Sequence, residues 1–221
     1  GVLVANWEGN SVQGNYIGTD WSGTAVVANT SVGIGLLSDS NTVIGGTEPG
    51  AGNVISGSQI GIWLYGGLPG RNARIEGNRI GTTADGRAAL GNATGIEVNQ
   101  VVLDLTIGGT ATGAGNLISG NVINGIHVGG EGPLGIRIQG NQIGTDIFGR
   151  NAVPNRENGI LIDNGASSVL IGGTDENARN IISGNTGDGI KISGSPPATI
   201  TQTFYLATAD NMGWRGLNNR T

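Results

Sequence analysis

The chain repeats itself at a fixed interval, and nothing else in it restricts the possible folds so tightly. Gly14-Asn15-Tyr16-Ile17-Gly18-Thr19 returns from Gly77 as Gly-Asn-Arg-Ile-Gly-Thr and from Gly140 as Gly-Asn-Gln-Ile-Gly-Thr, which puts Asn15, Asn78 and Asn141 63 residues apart. Ile44-Gly45-Gly46-Thr47 recurs from Ile107 and Ile171, and Asn53-Val54-Ile55-Ser56-Gly57 recurs in kind from Asn116 and Asn180. A chain with such a period folds as stacked layers, each burying its apolar face against its neighbours.

A Gly-Ile pair opens each layer, at Gly33, Gly61, Gly95, Gly125, Gly159 and Gly189, with Gly1-Val2 as a seventh start. The steps between the first six are 28, 34, 30, 34 and 30 residues, so a shorter and a longer layer alternate within each 63-residue unit. Each layer holds three short runs with period-two alternation: Ile34–Leu37, Thr42–Ile44 and Asn53–Ser56 in a shorter one, Ile62–Tyr65, Ala73–Glu76 and Asn78–Gly81 in a longer one. Runs this brief and alternating are strands. Gly makes up 44 of 221 residues and falls at fixed phases beside β-branched residues, as tight turns require. The expected fold is all-β: a right-handed parallel β-helix, a solenoid of about seven turns with three short strands per turn. The inward columns begin with Ile34/Leu36 on the first strand, Ile44 on the second and Ile17 on the third, and recur in every layer.

One polar column is as regular as the apolar ones: Asn15, Asn53, Asn78, Asn116, Asn141 and Asn180, each just before a third strand. Six identical copies along the whole length point to an internal ladder of side-chain amides rather than to a ligand site. With Gly-Ile-x-Leu, Asn-x-Ile-x-Gly and Ile-Gly-Gly-Thr in view, residues 1–195 resemble the right-handed parallel β-helix repeat proteins, the pectate-lyase-like architecture also found in polygalacturonases and phage tailspikes. The resemblance implies a large bacterial secreted or surface protein, and so an extracellular or cell-surface location. It does not imply an activity.

Beyond Ser195 the pattern fails. The segment 196–221 carries Phe204, Tyr205, Met212 and Trp214 and is read either as a cap over an open end or as unrelated sequence. The chain begins at Gly1 already in phase, which reads as a piece processed or excised from something longer, and its uncapped start allows end-to-end self-association.

Function has to come from outward positions. On the first strand one outward column reads Leu3, Gly35, Trp63, Glu97, His127, Leu161, Lys191, and its neighbour two residues on contains Tyr65, Asn99, Gly129 and Asp163. Trp63 and Tyr65 offer a sugar-stacking surface, with Asn99 and Lys191 as further ligand contacts. Glu97, His127 and Asp163 are the catalytic candidates if the protein is an enzyme, a polysaccharide lyase or glycoside hydrolase. The preferred function is non-catalytic: a structural or adhesive rod segment, with polysaccharide as the ligand of this face.

The rest of the sequence narrows partners and cofactors. A net charge of −5 with no basic cluster argues against nucleic acid, and no apolar run has the length of a membrane span. Cysteine is absent and there is a single His, so a zinc site is not expected. No cofactor is expected. The loops 20–29, 83–92 and 146–155 contain Asp20/Gly23 and Asp146/Gly149, a weak calcium pattern that the middle copy lacks, having Thr83 and Asp85; a turn-forming Asp is the preferred explanation. Arg74 and Arg137 share an outward column on the second strand with Thr106 between them, but without the Asp cluster that lyase chemistry wants.

Overall fold

The computed structural model describes residues 1–5, 8–38, 40–65, 70–99, 102–130 and 132–194; the segment 196–221 lies outside them. Three parallel sheets run the length of the molecule, one for each strand of the layer. The first-strand sheet has seven strands: Val2–Ala5, Val32–Leu37, Ile60–Tyr65, Thr94–Asn99, Ile126–Gly129, Ile160–Ile162 and Ile190–Ile192. The third-strand sheet has six, from Tyr16–Ile17 to Ile181–Ile182. Every pairing between named strands is parallel and joins one layer to the next, as Ile34↔Ile62, Ile62↔Ile96 and Ile96↔Ile126 illustrate.

The fold is therefore an all-β parallel β-solenoid with six complete turns rather than seven. Ile190–Ile192 opens another turn, but the described residues end before that turn has a second or third strand. The one helical element among them is a 3-10 turn, Glu176–Ala178, N-capped by Asp175.

The core is the set of stacked aliphatic columns. Ile34, Ile62, Ile96, Ile126 and Ile160 on the first strand, Ile44, Ile75, Ile107 and Ile138 on the second, and Ile55, Ile80, Ile118 and Ile143 on the third are wholly buried. At the last described strand Ile190 is half-buried and Ile192 is 39% exposed. No helix among the described residues is long and apolar enough to cross a membrane.

Glycine at Gly33, Gly61, Gly95, Gly125 and Gly159 on the first strands has a reason of space. A Cβ at Gly61 would stand 2.5 Å from the carbonyl oxygen of Gly95, and one at Gly95 equally close to that of Gly125, so successive layers approach too closely here for a side chain. The second-strand sheet departs from the simple scheme. Its strands Leu134–Gln139 and Ser167–Ile171 extend backward, and the short pieces Gly70–Arg71 and Val102–Leu103 pair ahead of them. Between the two parts the chain kinks at a column of left-handed residues, Asn41, Asn72, Asp104, Gly135 and Ser168.

The Asn ladder is present in full. The side-chain oxygen of Asn78 accepts from the backbone N–H of Asn53 (3.0 Å) and from its amide (2.9 Å), and Asn116, Asn141 and Asn180 continue the same double contact. The remaining amide hydrogen reaches a second-strand carbonyl, as from Asn116 to Ile75 (2.7 Å). Each amide thus satisfies groups that burial would otherwise strand without water.

A second ladder runs through the turns from third to first strand and was not expected. Asn92 gives its backbone N–H and amide to Asn121, Asn121 gives both to Asn155, and the Asn155 amide reaches Asn185 (2.8 Å). Asn124 and Asn158 form a shorter third stack. The sequence carries the signal, since Asn92 and Asn155 stand 63 residues apart and Asn121 and Asn185 stand 64 apart.

Candidate functional site

The first-strand sheet places the candidate residues by register alone. Trp63 pairs with Glu97, Glu97 with His127, His127 with Leu161, and Leu161 with Lys191. Neighbouring strands in such a sheet lie about 4.8 Å apart, so consecutive outward side chains on this column are in contact range.

His127 sits between two carboxylates. Its Nδ1 lies 2.9 Å from Glu97 Oε1 in the layer before, and its Nε2 lies 2.9 Å from Asp163 Oδ1 in the layer after. Asp163 is not on the same column. It follows Ile162, whose partner is Val128, and so stands over Gly129. A side chain at 129 would close the gap, because a Cβ there would be 2.6 Å from Asp163 Oδ1 and 2.8 Å from His127 Nε2. Each accepting oxygen also takes an amide hydrogen: Asn99 Nδ2 donates to Glu97 Oε1 (3.1 Å) and Asn164 Nδ2 to Asp163 Oδ1 (3.0 Å). The second oxygen of each carboxylate has no protein partner among the described residues.

The pairing fixes the protonation state. The hydrogen bond to Glu97 is the strongest influence raising the His127 pKa; partial burial opposes it, and the bond to Asp163 adds to it. The result is about 9 against an ordinary 6.5. At neutral pH the ring is an imidazolium with both N–H groups engaged. It has no lone pair with which to take a proton from a substrate. Glu97 and Asp163 also lack the open space that an inverting hydrolase needs for water between its carboxylates, because the imidazole ring fills it.

Trp63 and Tyr65 stack on each other, with ring centroids 4.1 Å apart and planes 22° apart. Each ring therefore spends a face on its neighbour, so the two do not lie side by side as a flat platform. Trp63 Nε1 is buried and unpartnered among the described residues. Asn99 joins the cluster through Glu97, whereas Lys191 is exposed and separated from His127 by Leu161.

No family model, curated protein or solved structure matches the chain.

The loop carboxylates are occupied within their own turns. Asp20 Oδ1 accepts from the backbone N–H groups of Thr24 and Ala25, and its Oδ2 from the Ser22 hydroxyl. Asp146 Oδ1 accepts from Phe148 and Arg150 N–H, and its Oδ2 from the Asn151 amide. Asp85 accepts from the Thr83 hydroxyl and from Arg87 N–H. These bonds hold all three carboxyls below the usual range, that of the Ser22 hydroxyl being the largest influence on Asp20, that of Arg150 N–H on Asp146 and that of the Thr83 hydroxyl on Asp85. The loops also stack on one another two layers apart, Ala84 N–H donating to Gly23 O (2.9 Å) and Ile147 N–H to Gly86 O (3.0 Å). No group of three or more metal-ligating side chains occurs among the described residues.

Arg74, Thr106 and Arg137 do stand in register on the second strand. Together with Asn72 and Asp104 they line an open groove of about 310 Å³. Arg74 is bound to Glu76 at 3.1 Å.

Proposed function

We propose that this chain is a non-catalytic rod segment of a secreted or cell-surface bacterial repeat protein, pectate-lyase-like in architecture, that binds glycan on its first-strand face. The observation that carries the reading is the placement of His127 with a carboxylate oxygen 2.9 Å from each ring nitrogen, an arrangement that favours the imidazolium and leaves no free base. What remains available to a ligand suits hydroxyl-rich molecules. The outer oxygens of Glu97 and Asp163 accept from sugar hydroxyls, and the exposed part of the half-buried Trp63–Tyr65 pair takes the apolar side of a pyranose ring. The unbroken ladders support the rod itself, since a stack held layer to layer is stiff along its axis.

The test is an array of neutral and acidic polysaccharides probed with the wild-type chain, Trp63→Ala and Glu97→Gln. Binding lost in both variants supports the reading. An activity screen on the same polysaccharides is run with His127→Ala alongside. Turnover that disappears in Glu97→Gln and His127→Ala would replace the rod by a carbohydrate-active enzyme using Glu97, His127 and Asp163. A mass that rises with protein concentration would add end-to-end association to the rod.

A further inference from the structure

Three Asn-Gly sequences occur in the chain, at Asn124-Gly125, Asn158-Gly159 and Asn164-Gly165. Asn-Gly is the dipeptide most open to spontaneous deamidation, because a glycine puts no side chain in the way of its own backbone nitrogen. That nitrogen attacks the Asn side-chain carbonyl carbon, loses its proton and expels the side-chain nitrogen as ammonia, leaving a five-membered succinimide. Water then opens the ring at one carbonyl or the other, giving aspartate or isoaspartate. The reaction needs a free glycine N–H and an asparagine able to turn.

Two of the three sites meet neither condition. Gly125 N–H donates to Asn158 O (3.0 Å) and Gly159 N–H to Asp188 O (2.9 Å), both layer-to-layer bonds. Asn124 and Asn158 are buried, and the Asn158 amide and N–H both bind the Asn124 side-chain oxygen. The attacking nitrogen is tied down in each case, and the carbonyl it would attack is held inside a stack.

Asn164-Gly165 differs in its exposure and in its glycine N–H, while its amide makes one exposed bond, to Asp163. Both residues are exposed, at the tip of a tight turn closed by a single bond of 3.2 Å from Ala166 N–H to Asp163 O. Asn164 and Gly165 both have positive φ, 49° and 91°, and the Gly165 N–H has no acceptor among the described residues. A turn that short and that weakly closed can open far enough for the nitrogen to reach the side chain.

We propose that Asn164 is a spontaneous deamidation site that resets the charge of the His127 cluster. The Asn164 amide is a hydrogen-bond donor to Asp163 Oδ1, the oxygen that also accepts from His127 Nε2. Conversion removes that donor and sets a new carboxylate beside Asp163. The isoaspartate product also lengthens the backbone by one carbon at the turn that positions Asp163. The first-strand face thus changes with the age of the protein, without an enzyme. This inference stands whether or not the face binds glycan.

The experiment is peptide mapping by mass spectrometry after incubation of the folded chain in mildly alkaline buffer, with a urea-unfolded sample in parallel. The expected result is amide-to-acid conversion at Asn164 in the folded chain, as aspartate and isoaspartate, while Asn124 and Asn158 convert only when unfolded. The variant Asn164→Gln keeps an amide but disfavours the five-membered ring, and abolishes the folded-state conversion. An Asn164 that stays intact in the folded chain while converting in urea would overturn the proposal, and so would equal conversion of all three sites in the folded chain.

Discussion

The interior Asn ladder and the His127 cluster are both stacks of hydrogen bonds at the same layer spacing, and they behave as opposites. Inside, an uncharged amide repeats in every turn, and each copy is satisfied by the copies on either side. Outside, three unlike residues meet once, charges balance only in part, and the His127 side chain keeps 20% of its surface in water. The interior stack makes the rod and tolerates no gap. The surface cluster borrows the spacing of the rod and contributes stability only while His127 is charged. A repeated column is therefore evidence of structure, and a column that varies is where a specific property can be placed.

The largest effect that would sharpen this contrast comes from the core. Ile107→Asp, in a wholly buried position paired to Ile75 and Ile138, strands a charge mid-stack and is expected to cost more than about 4 kcal/mol, enough to abolish the folded signal in circular dichroism. Next is Asn116→Ala, which leaves the Asn78 N–H and amide without their acceptor. Urea denaturation should show a loss of about 2–4 kcal/mol, against less than about 1 for Asn15→Ala at the exposed end of the same ladder. Equal losses at the two positions would mean that the ladder does not act through burial.

The surface cluster predicts a pH dependence. The raised pKa of His127 means that the folded chain keeps a proton that the unfolded chain gives up near pH 6.5. Its stabilisation is therefore complete below pH 6.5, falls as pH rises, and is gone above about 9. Allowing for partial exposure, the fall is about 2 kcal/mol, and His127→Gln should flatten it. The smallest effect expected is from Gly129→Ala, whose methyl crowds Asp163 Oδ1 and His127 Nε2 and breaks the contact between them, at about 0.5–1 kcal/mol. A fall in stability with pH that survives in His127→Gln would assign it to another group.

Periodicity made most of the fold legible. Ile44, Ile75, Ile107 and Ile138 line up because a parallel solenoid turns equal sequence phase into spatial contact, and the same logic put Glu97 beside His127. Where the chain breaks phase, periodicity carries no information. Asn92 and Asn155 looked like loop ends because the layer boundary, not a strand, carries their ladder. The contact of Asp163 with His127 depends on the missing side chain at Gly129, which a column-by-column reading passes over. The stacking of Trp63 on Tyr65 is a matter of side-chain rotation, which alternation along a strand does not encode.

The central claim, that His127 is locked as an imidazolium between two carboxylates, has a direct measurement. The chain contains one His, so its ring resonances in a nitrogen-15 and proton titration belong to this residue alone. The account predicts both ring nitrogens protonated at neutral pH and a midpoint near 9. A neutral ring at pH 7, or a midpoint near the ordinary 6.5, would contradict it and return a free base to this face.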